Sequence, residues 1–271
     1  MCRSGFLPGP ADRSTMSPPM TPSERRREIV TLVMARKTVS LEELVAHLRV
    51  SRMTIHRDLA LLEERGLLRK ERGGATAESS LLFESNFHFR LQNESAEKRA
   101  LAHAARALIE PGSVIMIDDS TTTLLLAEEL ETIEFITVIS NSLAVCELLR
   151  GRPNVQLILT GGSYNNTLQA FYGLICEQSL GKLRADWAFM SASSVIGLSL
   201  YHQDQEVVRM KRALMAAAER TALLLTCSKF KARALNHFGE LSEFDRIFID
   251  RGLDEATAQK LRQAAIAFDL V

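Results

Sequence analysis

The 271-residue sequence predicts an α/β chain: an N-terminal winged helix-turn-helix followed by a larger doubly wound α/β domain. Two patterns carry this expectation. Between residues 23 and 65, apolar residues recur at helical spacing in three short segments separated by tight turns. From Ala96 onwards, helical segments instead alternate with short apolar strands, as in a largely parallel sheet covered on both faces. The expected divisions are a disordered tail at 1–22, the winged module at 23–76, a connector at 77–95 and the larger domain at 96–271.

The first helix is expected from about Ser23 to Arg36, with Ile29, Val30 and Val33 inward and Arg25-Arg26-Arg27 near its start. Lys37-Thr38-Val39 reads as a short extended piece. Ser40 and Glu43 have the spacing of a capping box for a second helix, with Leu44, Val45 and Leu48 on its buried side. Ser51 is a good N-cap for a third helix ending near Gly66, in which Ile55, Leu59 and Leu62 form the buried stripe. Leu67-Leu68-Arg69-Lys70 then reads as a strand, and Gly73-Gly74 as the tip of a hairpin.

The third helix leaves Arg52, Met53, Thr54, His56 and Arg57 on the face away from its apolar stripe, with Ser51 at its start and no matching acid on that face. Such a face suits base edges in a DNA major groove, while Arg69, Lys70 and Arg72 on the wing suit neighbouring phosphates. An ordinary solvated helix is the competing reading. Net charge is zero overall, but Glu24 to Arg72 holds twelve Lys/Arg against eight Asp/Glu, a surplus of four positive charges. A modestly basic head on an acidic body fits a separate nucleic-acid module. It is too weakly basic to favour a non-specific architectural DNA binder.

Strands are expected at 114–117, 136–140, 155–160, 187–191, 222–226 and 246–249, and helices near 97–109, 121–130, 142–149, 205–219 and 254–264. In such folds ligands lie at the carboxyl ends of strands. Four strand ends carry small polar or glycine residues: Asp118 to Thr123, Ser140-Asn141-Ser142, Gly161-Gly162 and Cys227-Ser228-Lys229. Backbone amides and hydroxyls at the first of these suit a phosphate, although Ser and Thr capping alone explains the same residues. Leu81-Leu82-Phe83 and Phe87-His88-Phe89-Arg90 read as packed pieces of the connector, a route by which ligand binding would reach the head.

The run VSRMTIHRDLALLEERGLLRKERGGA closely resembles the winged-helix signature of the DeoR family of bacterial transcription regulators. AEKRALAHAARALIEPGSVIMIDDSTTT, ITVISNSL, LILTGG and SKF resemble its effector domain, from about Ala96 to Asp250. The resemblance implies a fold related to ribose-5-phosphate isomerase, a double-stranded DNA operator, and a phosphorylated sugar or similar metabolite as effector. It also implies ligand-site roles for Asp118, Thr121, Thr122, Thr123, Asn141, Gly162, Lys211 and Lys229, joined by Ser120, Ser142 and Gly161 from the same loops. Three positions depart from the family pattern. His56 replaces the usual arginine, which bears on the operator sequence rather than on DNA binding as such. Ser120 replaces glycine, adding a Cβ in a loop where unusual torsions are expected. Thr226-Cys227 replaces the more frequent acidic residue before the Ser-Lys pair.

The expected function is a cytoplasmic transcriptional regulator, a repressor of a carbohydrate-catabolism operon that forms a dimer or tetramer. The alternative is a sugar-phosphate isomerase carrying a DNA-binding head, with Asp118 or Asp119 as base and Lys211 or Lys229 stabilising an enediolate. No catalytic residue, metal site or cofactor is assigned. GxxxxGK and GxSxG are absent, and the six histidines lack metal-ligand spacing. No apolar run reaches membrane-span length, and four isolated cysteines suit a reducing compartment. His202 and Asp204 have the chemistry to touch a ligand or a metal but read as exposed loop residues, and Trp187 as sheet packing.

Overall fold

The computed structural model describes residues 20–36, 38–64, 67–76 and 87–271, which fall into two compact units, one up to residue 77 and one from residue 78. Almost all of the expected tail, Lys37, Gly66 and Leu81-Leu82-Phe83 lie outside the described residues.

In the first unit, helix α1 (Pro22–Arg36) starts one residue before its expected range. Thr21 caps it, accepting from Glu24 N while its own N–H donates to Glu24 Oε2 (2.8 Å). Proline at the first helical position wastes no hydrogen bond, because that N–H has no intrahelical partner. Strand β1 (Thr38–Ser40) leads into α2 (Leu41–Leu48), where Ser40 and Glu43 form the expected capping box. Arg49 ends α2 in a left-handed conformation (φ 54°), and Ser51 opens α3 (Arg52–Glu64) by accepting from Thr54 N at 3.2 Å. Ile29, Val30, Val33, Leu44, Ile55, Leu59 and Leu62 are all buried, whereas Val45 and Leu48 are only half-buried.

The wing differs from expectation by two residues. Leu67 and Leu68 are both buried, which a strand with alternating faces does not allow, and β2 runs Arg69–Glu71. Arg72 and Gly73 make the turn, Gly73 with φ 95°, while Gly74 begins β3 (Gly74–Thr76). A Cβ on Gly74 would lie 2.3 Å from Val39 O, so its glycine serves close strand approach. The antiparallel order is β1-β3-β2.

The second unit begins with α4 (Phe87–Gln92) and α5 (Ser95–Arg106), followed by β4 (Val114–Ile117), α6 (Thr121–Glu128), β5 (Ile136–Ser140), α7 (Leu143–Leu149) and β6 (Val155–Leu159). A hairpin of β7 (Ser163–Asn165) and β8 (Ala170–Tyr172) precedes α8 (Leu174–Leu180) and β9 (Ala185–Met190). Then come β10 (Ser194–Ile196), β11 (Ser199–His202), α9 (Gln205–Ala217), β12 (Ala218–Leu225), β13 (Asn236–Glu240), β14 (Arg246–Ile249), α10 (Glu255–Gln263) and β15 (Asp269–Leu270). No loop separates α9 from β12.

Seven parallel strands form the main sheet, in the order β15-β14-β12-β9-β4-β5-β6. Alternate residues feed separate cores on its two faces: Ile115, Ile117, Ala222 and Leu224 join one, and Met116, Leu223 and Leu225 the other. Both faces are therefore apolar, and the strands read as short continuous hydrophobic runs. Trp187 packs on this sheet, 6.0 Å from the Phe189 ring and beneath the Arg220 guanidinium. A small antiparallel sheet, β10-β11-β13, stands beside the main one. From β4 the chain builds outward through β5 and β6, then returns to β4's other side as β9. That reversal opens a crevice at the carboxyl ends of β4 and β9.

Candidate anion-binding site and nucleic-acid interface

Asp118 follows β4 and is fully buried. Its Oδ1 accepts from Ser120 N (3.0 Å) and Thr123 Oγ1 (2.6 Å), and its Oδ2 from Ser191 N (3.0 Å) and the Lys211 ammonium. Burial alone would raise its carboxyl pKa, but Lys211, Thr123 and Ser120 together hold it below the usual value. A carboxylate engaged by four donors is a poor base. Asp118 and Lys211 instead clamp the β4 end, the β9 end, α6 and α9 together.

The crevice above this clamp has an inner chamber of about 30 Å³, lined by Asp119, Ser120, Thr121, Thr122, Ser191–Ser193, His202 and Lys211. It continues into an outer hollow of about 420 Å³, lined by Glu94, Ser228 and Lys231 among others. Arg90, Lys98 and Lys229 line both. Thr121 and Thr122 start α6, so its unpaired amides and dipole favour negative charge there. Ser120 caps α6 in an ordinary extended conformation (φ −76°, ψ 148°) and accepts from Thr123 N at 3.1 Å. The expected backbone difficulty at Ser120 is absent, because the cap position itself is extended.

Asp119 is buried; its Oδ2 accepts from Tyr172 OH at 2.7 Å, and its Oδ1 has no partner. Burial, followed by Asp119, pushes the Tyr172 hydroxyl pKa well up, so Tyr172 remains a donor. Lys98 is 4% exposed and donates to Asn93 O at 2.7 Å and to Arg90 O. Burial, then the neighbouring Lys229, lowers its pKa to about 7. Arg90 Nε and Nη2 are buried without a hydrogen-bond partner.

His202 corrects an expectation. It is buried at the end of β11, which pairs with β13, rather than exposed on a loop. Its Nδ1 accepts from Asp204 N at 3.1 Å, which leaves the ring proton on Nε2. Burial, then Lys211 and Arg90, pushes its pKa well down, so the ring is neutral. Asp204 caps α9, accepting from Glu206 N at 2.7 Å.

Asn141, Ser142, Gly161 and Gly162 line neither chamber. Asn141 is buried and donates to Phe171 O at 3.1 Å, and Ser142 caps α7. A Cβ on Gly162 would lie 2.4 Å from Tyr172 O, so this glycine makes room for β8. Thr123 lies behind the chamber, on Asp118. Sequence reasoning left out Arg90, Lys98, Ser191 and Ser193, and set His202 aside as an exposed loop residue. Cys227 N donates to the Asp250 carboxylate, and the thiol, held up by burial and then Asp250, has a pKa near 12.

In the first unit Met53, His56 and Arg57 of α3 are exposed, Met53 at 69%. Arg52 is also exposed, but its guanidinium meets the Glu42 carboxylate. The expected absence of an acid is corrected, because α2 supplies one across the turn. Ser51 and Thr54 share a hydroxyl contact at 2.9 Å. On the wing, Arg69 pairs with Glu71 at 2.9 Å, Lys70 is half-buried and Arg72 is exposed. Asp58, on the inner side of α3, holds Arg25 of α1 at 2.6 Å.

Residues 25–81 match the DeoR-like helix-turn-helix domain, and residues 93–251 match the DeoR C terminal sensor domain. The chain belongs to the DeoR family of transcriptional regulators. Relatives in this family include an uncharacterized HTH-type transcriptional regulator, YgbI, of Escherichia coli K12, 34% identical over 89% of this chain and 95% of its own length. The glycerol-3-phosphate regulon repressor of Haemophilus influenzae is 34% identical, covering 84% of this chain and 89% of that one. The L-fucose operon activator of the same organism is 33% identical, covering 80% and 87%. A ribose-5-phosphate isomerase structure with phospho-erythronic acid covers 51% of this chain and 55% of that one, at 18% identity and a TM-score of 0.38, too low to assign anything by. The family makes this chain a DNA-binding regulator with a sensor domain, and the four-donor clamp removes Asp118 as the base of the alternative isomerase reading. Among the described residues no helix is long and apolar enough to cross a membrane, and no group of three or more His, Cys, Asp or Glu is placed to hold a metal ion.

Proposed function

We propose that this regulator represses a carbohydrate-catabolism operon and that a phosphorylated sugar or related metabolite, bound in the crevice of the second unit, controls its grip on the operator. Residues 23–76 read DNA, 77–95 connect, and 96–271 sense the ligand and hold the chain as a dimer or tetramer in the cytoplasm. Paired heads on half-sites one helical turn apart are the usual arrangement for such readers.

One observation carries the reading: Arg90, Lys98, Lys211 and Lys229 line the inner chamber at the α6 amino end, with Asp119 beside them and Asp118 held behind by Lys211. Lys211 and Asp118 offset each other, which leaves Arg90, Lys229 and the partly charged Lys98 as a cationic surround suited to a phosphomonoester. The free Oδ1 of Asp119 and the Nε2–H of His202 offer an acceptor and a donor for sugar hydroxyls beside it. Asn141, Ser142, Gly161 and Gly162 act in this reading as the wall that positions Tyr172 and β8.

A thermal-shift screen tests it. A phosphorylated sugar at a hundred times its Kd should stabilise the chain by about 2.7 kcal/mol, with inorganic phosphate competing and the unphosphorylated sugar inert. A duplex selected from genomic fragments should then lose or gain affinity with the same ligand, since only differential affinity for two states regulates anything. Equal response to sugars with and without phosphate would sink the assignment.

A further inference from the structure

Arg90 is unlike the other cations of the crevice. Lys211 is committed to Asp118 and Lys98 to the carbonyls of Arg90 and Asn93, whereas Arg90 keeps two buried donors, Nε and Nη2, without a partner. Orphaned buried donors are uncommon, and a guanidinium edge of two adjacent N–H groups matches two oxygens of a phosphate or carboxylate. Arg90 lies on α4, the first described element after the winged head. Six residues are too few to hold a helix by backbone hydrogen bonds alone. Its position depends on tethers: Phe87 is buried and its N–H donates to Thr167 O at 3.1 Å, while the Lys98 ammonium gathers the carbonyls at the other end. Lys98 itself lines both chambers, so an anion there bears on two of the contacts that place α4.

We infer that Arg90 contacts the effector's oxyanion and thereby fixes α4, so that occupancy of the crevice is read out in the segment leading from the DNA-binding head. The inference rests on the oxyanion reading above and adds the residue through which that site acts. Lys229 and the α6 amino end provide binding without Arg90. Arg90→Gln therefore weakens the ligand without abolishing it, by roughly ten- to a hundred-fold for a charge-assisted pair.

The experiment is hydrogen exchange on the full-length chain, with inorganic phosphate as the probe and calorimetry to establish saturation. In the wild type, saturating phosphate should slow exchange of the amides at 87–93. In Arg90→Gln, phosphate should still bind at higher concentration, but exchange at 87–93 should stay at its ligand-free rate even at saturation. Protection of 87–93 that survives in the saturated variant, or phosphate binding to the wild type with no change there, overturns the role given to Arg90 and leaves the oxyanion site standing. A wild type that binds no phosphate overturns both. The wild-type measurement decides even if the variant does not fold.

Discussion

The Lys211 ammonium donates to Oδ2 of Asp118, and neither side chain is more than 2% exposed. A buried pair of this kind is costly to break from one side, because the remaining charge has no water to turn to. Lys211→Met should destabilise the chain by about 3–5 kcal/mol in chemical denaturation. The carboxyl of Asp118 is held below its usual value, so its contribution is present above the ordinary carboxylate range and is lost as pH falls through the lowered folded value. Acid denaturation of the wild type should show this loss, and Lys211→Met should be flatter in that range.

Lys98 has its pKa lowered to about 7 by burial, with Lys229 and Arg90 adding to the effect and Glu94 and Glu97 opposing it. A bound dianion favours its charged form, so binding takes up protons above that pH. Sulfate keeps the same charge throughout this range and isolates the protein's own proton. Its affinity should fall by up to about tenfold per unit as pH rises above about 7. Calorimetry in buffers of different ionisation enthalpy should register the uptake, and Lys98→Met should remove it.

Arg57 and Arg72 are both exposed on the first unit, one on α3 and one on the wing turn. Arg57→Ala should cost roughly 1–3 kcal/mol on the preferred duplex and relax base preference. Arg72→Ala should weaken all duplexes alike and reduce the salt slope by about one. Titrations at several salt concentrations, on selected and random duplexes, separate the two.

Gly162 has φ 117° and packs against Tyr172, whose hydroxyl holds Asp119. Gly162→Ala should cost about 1–3 kcal/mol through overpacking. It should also lower ligand affinity without touching the ligand, because Asp119 moves with Tyr172. Tyr172→Phe should lower affinity by a similar factor with a smaller loss of stability. Denaturation and ligand titration of both variants give the comparison.

The strands at 114–117, 136–140 and 246–249 were legible to the residue, because each is a short, mainly apolar run with most of its residues buried. The β10-β11-β13 sheet and α8 were not. Their strands are three to five residues long, and α8 begins with Leu174 and Ile175 facing solvent, which hides its inner side. The loop after β4 was readable from local chemistry alone, since a strand, a run of hydroxyls and a helix start follow one another. Strand order has no local signature, so one sequence could not separate the β4 and β9 ends from Asn141 and Gly162. Lys98 did leave a trace: it shares the spacing of Leu101, Ala102 and Ala105, so a lysine sits in the buried stripe of α5. Arg90 left none, because a lone arginine on a short helix reads as solvated.

The missing loop between α9 and β12 limits what can change in this protein. Ala217 ends the helix, Ala218 begins a strand hydrogen-bonded on both sides, and the helix carries Lys211 into the crevice. The floor therefore cannot slide without dragging the middle of the sheet along, and adaptation to new metabolites is confined to the rim. A directed-evolution library for a biosensor on this scaffold is best spent on residues 90–94, 191–193 and 227–231, with 118, 123 and 211 left untouched.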